Sequence, residues 1–163
     1  FEIDMDVGDD WATDDYCYIR IQQADDTNGW CTGPYGEGGF GFRIMKTATT
    51  YELEAYLHNG YTTRHVKIAN ISVDIKYIIE ARMEWKEKVI KYYFGRADKD
   101  KNDLQWGFRL RAILPMLIDG KVLNVDNLAP FHITIDSRNP PATQTNIIVF
   151  FRWRTQALRA VEP

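Results

Sequence analysis

The feature that most constrains this chain is an apolar alternation with a period of two, recurring from one end to the other. Tyr77, Ile79, Ala81, Met83 and Trp85 alternate with Ile78, Glu80, Arg82, Glu84 and Lys86. Such a period places one set of side chains on a core face and the other toward water, the geometry of a half-buried strand. Glu, Lys and Arg favour helix between Ile78 and Lys91, but strict alternation and the Tyr92-Tyr93-Phe94 exit favour strand. The run passes a charged turn, Lys86-Glu87-Lys88, into Val89 to Phe94, which predicts a hairpin.

The same pattern predicts inward rows of Phe1, Ile3, Met5 and Val7, then of Cys17, Ile19 and Ile21, then of Phe40, Phe42 and Ile44. Tyr51, Leu53, Ala55 and Leu57 follow and end at the turn dipeptide Asn59-Gly60, beyond which Thr62 to Ile68 pairs back as a hairpin. Phe108, Leu110, Ala112 and Leu114 restart the alternation until Pro115, and Phe131, Ile133 and Ile135 make a short strand after Pro130. Ile147, Val149, Phe151 and Trp153 close the chain. Because Ile148 and Phe150 make the start of that strand apolar on both faces, it is expected in the middle of a sheet or under a partner subunit. Roughly ten strands at intervals of ~10–15 residues with almost no helix leave sandwich or barrel, and an antiparallel two-sheet sandwich is favoured.

A length of 163 residues, 45% of them apolar, suits a single domain over residues 1–163 with one core. Apolar runs such as Ile147 to Phe151 fall far short of the ~20 residues a membrane-spanning helix requires. A net charge of −3 with dispersed Lys and Arg lacks the basic footprint of phosphate-backbone binding, which argues against nucleic acid. The chain starts at Phe1 without Met, as expected of an exported protein whose leader was removed or of an excised domain. Cys17 and Cys31 flank a strand and the turn-forming run Ala24 to Gly29, so a disulfide clamping that loop is expected beside the alternative of two reduced core cysteines. Asn70-Ile71-Ser72 is an N-glycosylation sequon.

Residues 39–95 resemble the middle of a concanavalin A-like or laminin G-like jelly-roll domain. The likeness rests on Gly-Phe-Gly-Phe-Arg-Ile (Gly39 to Ile44), Tyr-x-Leu-x-Ala-x-Leu (Tyr51 to Leu57), a turn with a polar strand (Asn59 to Ile68), and the pair from Tyr77 to Gly95. The resemblance implies a jelly-roll sandwich and a class that spans lectins, carbohydrate-binding modules, glycosidases and adhesive extracellular modules; fold alone does not select among them.

Three constellations bear on function. Glu2-Ile3-Asp4-Met5-Asp6 resembles the Glu-x-Asp-x-Glu strand of retaining family-16-type glycosidases, whose outer carboxylates act as nucleophile and acid/base. Alternate strand residues lie roughly 6–7 Å apart at Cα, near the ~5–5.5 Å carboxyl separation that retention needs. Here the acid/base position is Asp6, one methylene short, and a solvated polar face on an edge strand is the expected reading. Asp9, Asp10, Asp14 and Asp15, with Asp25 and Asp26 beyond the next strand, form oxygen-rich loops suited to Ca²⁺ or simply to turn formation. Trp11, Trp30, Tyr35 and Trp106, with Tyr56 and Tyr61, fall in loops or opposite the core rows, where rings serve either sugar stacking or packing. His58, His65 and His132 are isolated and lack metal-ligand spacing.

These features lead to the expectation of an extracellular, non-catalytic module that binds a glycan or adheres. The alternatives are a subunit that assembles with copies of itself into a filament, tube or shell, and a glycoside hydrolase or polysaccharide lyase.

Overall fold

The computed structural model describes residues 2–6, 12–23, 38–72, 75–123, 131–138 and 146–150, with β1, β11 and β12 defined through their backbone pairing. The alternating rows become two five-stranded antiparallel sheets. The first runs in the order β12 (Asn146–Phe150), β1 (Glu2–Asp6), β6 (Tyr77–Glu84), β7 (Val89–Arg96) and β8 (Arg109–Pro115). The second runs β11 (Phe131–Arg138), β2 (Tyr16–Gln23), β3 (Gly38–Lys46), β4 (Tyr51–Asn59) and β5 (Thr63–Ile71). A two-residue pair, β9 (Leu117–Ile118) with β10 (Lys121–Val122), forms a small hairpin after β8. No helix occurs among the described residues, and so none long and apolar enough to cross a membrane.

One core is drawn from both sheets, as the rows predict. Cys17, Ile19, Phe40, Phe42, Ile44, Leu53, Ala55 and Leu57 of the second sheet join Tyr77, Ile79, Ile90, Tyr92, Phe94 and Leu114 of the first in a single buried cluster. Phe42 meets Tyr92 edge to face with ring centroids 5.5 Å apart, a preferred aromatic geometry. The Tyr92 hydroxyl donates across the sandwich to the Tyr56 carbonyl at 2.5 Å. Burial pushes that phenol well above the ordinary tyrosine range and keeps it a donor.

Both predicted hairpins form. Lys86-Glu87-Lys88 lies in the turn between β6 and β7, and Asn59-Gly60 begins the turn from β4 to β5, with Gly60 at φ 96°. Asn59, fully buried, organises that turn: its Oδ1 accepts from the N–H groups of Tyr61 and Thr62 at 3.0 and 2.8 Å. Its Nδ2 donates to the carbonyls of Ile118 and Lys121 at 3.1 and 2.9 Å, joining the turn to the β9–β10 hairpin.

Three expectations are corrected. Leu110, assigned to the inward row, is 40% exposed because a bulge opposite Tyr92 and Tyr93 inserts Arg111 as an extra residue and reverses the phase of β8. Arg111 instead reaches the carbonyls of Gln105 and Gly107. Trp85 ends the β6 alternation in the turn itself, where it is 46% exposed under the Lys88 ammonium. β1 is not an edge strand but lies between β12 and β6. β12, expected in mid-sheet or under a partner subunit, ends the first sheet among the described residues, so of the two alternatives the mid-sheet one is not met there.

Candidate functional site

Register brings a set of side chains onto the outward face of the second sheet that no local sequence window contains. Arg20, Gly41, Tyr56 and His65 stand across β2, β3, β4 and β5, and the next row holds Tyr18, Arg43, Glu54 and Lys67. These residues alternate with the buried Ile19, Phe42 and Ala55, so the face they share looks away from the core. Gly41, at φ 156°, is required there: a Cβ would lie 2.2 Å from the Ile19 carbonyl oxygen and 2.6 Å from the Arg20 Cα. The absence of a side chain between Arg20 and Tyr56 leaves their groups facing each other over bare backbone.

The rings form a three-member cluster. Tyr18 and Tyr56 have centroids 4.9 Å apart, Tyr56 and His65 5.5 Å, and Tyr18 and His65 6.1 Å. The Arg20 guanidinium lies 4.9 Å from the Tyr18 centroid and 5.8 Å from that of Tyr56, and it donates to the Tyr56 hydroxyl at 3.4 Å. Tyr16 extends the aromatic surface, 5.2 Å from Tyr18. Beside the rings on the same face are two sets of ion pairs. Glu54 Oε2 accepts from Arg43 Nε at 2.5 Å and sits 3.3 Å from His65 Nδ1, while Glu52 pairs with Lys67 at 2.5 Å.

The Glu54 side chain is only 10% exposed. Burial by itself raises its pKa, but hydrogen bonds and charge from His65 and Arg43 outweigh burial and leave the carboxyl below its ordinary value. A carboxylate depressed in the folded state adds stability that is fully present above the unfolded value of 4.5 and is lost as the pH falls through the depressed one. Glu54→Gln is therefore expected to flatten the acid limb of stability against pH and, by leaving Arg43 without its carboxylate, to lower stability at neutral pH by about 1–3 kcal/mol. Urea midpoints measured across the acid range check this; an acid limb unchanged in the variant contradicts it.

Of the residues proposed from sequence, Tyr56 lies on this face, opposite the core row as predicted, but it is 4% exposed rather than an open ring. Trp106 does not join it. Its ring packs on the core 6.5 Å from Tyr77 and 6.2 Å from Phe94, with the Arg96 guanidinium 5.7 Å from it. Asp15 is 8% exposed, and its carboxylate accepts from the Ala12 N–H at 2.8 Å while Asp14 takes φ 72°, so these two residues form the turn into β2. Trp11, Trp30, Tyr35, Asp9, Asp10, Asp25, Asp26 and Cys31 lie outside the described residues. Cys17 is buried in the core on β2. Glu2, Asp4 and Asp6 are described by pairing: Glu2 stands opposite Phe150 and Ile78, Asp4 opposite Ile148, Asp6 opposite Asn146.

Tyr18, Arg20, Arg43, Glu54 and His65 were not singled out from sequence. The available signal was the outward half of each alternating row: reading Tyr18, Arg20, Arg43, Glu54 and Tyr56 as one face needs only that β2, β3 and β4 pair in order. His65 needs more, because it reaches Glu54 through a bulge in β5 that shifts the register between Leu53 and Glu54. No family model, curated protein or solved structure matches this chain.

Proposed function

We propose that this is an exported, non-catalytic recognition module on a single concanavalin A-like jelly-roll domain, and that it holds a glycan on the outward face of the second sheet. The observation that carries the reading is the cluster of Tyr18, Tyr56 and His65 with the Arg20 guanidinium beside it. Rings provide apolar faces for sugar C–H surface, and guanidinium and phenol groups provide hydrogen bonds to hydroxyls. The jelly-roll assignment is supported by nested pairing: β1 joins β12, β2 joins β11, and two three-strand meanders, β3-β4-β5 and β6-β7-β8, lie between. A clamp between Cys17 and Cys31 and a Ca²⁺ ion held by the Asp9 to Asp15 loop belong to the same proposal as features of an extracellular module.

The test is retention on a panel of soluble and insoluble polysaccharides, with release of reducing ends assayed in parallel. Retention of the wild-type chain on at least one glycan is expected. Tyr18→Ala should weaken it about tenfold, the equivalent of one ring contact worth roughly 1.4 kcal/mol. Retention on nothing overturns the proposal, and release of reducing ends that vanishes in Glu2→Gln replaces it with a hydrolase.

A second reading, assembly with copies of itself, is favoured by one specific observation. β12 ends the first sheet among the described residues, and its Ile147, Ile148, Val149 and Phe150 make it an apolar edge of the kind that pairs with another chain. Long polymers of the purified chain in sedimentation would decide for it.

A further inference from the structure

We infer that Asn70 is the acceptor of an N-linked glycan. The sequon Asn70-Ile71-Ser72 spans the end of β5, the edge of the second sheet among the described residues. Ile71 is 2% exposed and turns into the core, whereas Asn70 and Ser72 on either side of it are exposed. The period of two thus places the acceptor amide and the sequon hydroxyl in solvent while the residue between them anchors the strand. The anchoring is specific: Ile71 pairs with Tyr51, and the Ser72 N–H donates to the Tyr77 hydroxyl at 3.0 Å.

The chemistry asks for a side-chain amide in an extended segment with a hydroxyl two residues on, and the fold must then leave the bulky product in water. In the transfer, the Asn70 amide nitrogen displaces diphosphate from the anomeric carbon of a lipid-diphosphate-linked oligosaccharide. The C–N bond forms, the C–O bond breaks with its electron pair on the diphosphate, and the nitrogen gives up one proton. Asn70 is opposite Glu52, at the far end of β5 from His65, roughly 17 Å along an extended strand. Asn70 thus stands at the rim of the outward face, on its outermost described strand and in the row of Glu52 and Met45.

This inference goes beyond glycan recognition but rests on the exported reading, so the experiment supplies export itself. The full chain is sent through a eukaryotic secretory pathway behind an added signal peptide, and its intact mass is measured before and after peptide N-glycosidase. The expected result is a fall by one core glycan, with conversion of Asn70 to Asp, in wild type and in Ser72→Thr, and no fall in Asn70→Gln or Ser72→Ala. Secreted, folded wild-type chain with no mass change overturns the inference without touching the recognition proposal. So does a glycan that persists in Asn70→Gln.

Discussion

Phe42→Ala is expected to cost about 3–5 kcal/mol, the range for removing a buried aromatic side chain. Phe42 is fully buried at the middle of β3, paired with Ile19 on one side and Ala55 on the other, and its ring presses on Tyr92 of the facing sheet. Its loss removes apolar contact from both layers at once. The neighbours belong to hydrogen-bonded strands that cannot close on the cavity without moving a sheet, so the cavity cost is added to the transfer cost. Urea denaturation at equilibrium measures it. A fall below about 1 kcal/mol would mean that the two sheets do not share this core.

Asn59→Asp is expected to cost about 3–5 kcal/mol at neutral pH, comparable to an uncompensated buried charge. The substitution keeps shape and replaces the Nδ2 donor with an oxygen facing the carbonyls of Ile118 and Lys121. The carboxyl oxygen that replaces Oδ1 can still accept from Tyr61 and Thr62. The other can bond to the carbonyls only when protonated, so the folded state raises the carboxyl pKa above its unfolded value. A group raised in the folded state contributes most when protonated, and stability is lost as pH rises through its folded pKa. The variant should therefore recover part of its deficit relative to wild type on acidification toward roughly pH 4, the ordinary aspartate range. A penalty independent of pH would contradict the assignment of the Nδ2 contacts.

Much of the fold was legible because burial on one face imposes its period directly on the sequence. Phe42, Leu53 and Ile79 could be placed inward from their neighbours alone, and Asn59-Gly60 announced its turn because Gly60 takes φ 96°, a backbone that glycine tolerates far better than other residues. Leu110 was misread because a bulge adds one residue to a strand and leaves no mark in hydropathy; Arg111 is the inserted residue, and arginine suits either face. β1 was misplaced because position within a sheet depends on partners distant in sequence. The candidate site was the least legible part. Glu54 was not singled out from the sequence, yet it is 7% exposed and is met by Arg43 and His65 from the two adjacent strands. Arg20, Tyr18 and His65 were likewise unremarkable one at a time, and only register brings their groups within contact distance.

The claim that the outward face of the second sheet is the recognition surface is tested most directly by mapping where a retained glycan touches the chain. Backbone amide and side-chain chemical shifts of the isotopically labelled protein, followed through a titration with that glycan, give the answer residue by residue. The account predicts that the largest changes fall at Tyr18, Arg20, Tyr56 and His65, with Leu110 and Ile113 on β8 unmoved. Changes centred on β8, with Tyr18 and His65 silent, would contradict it.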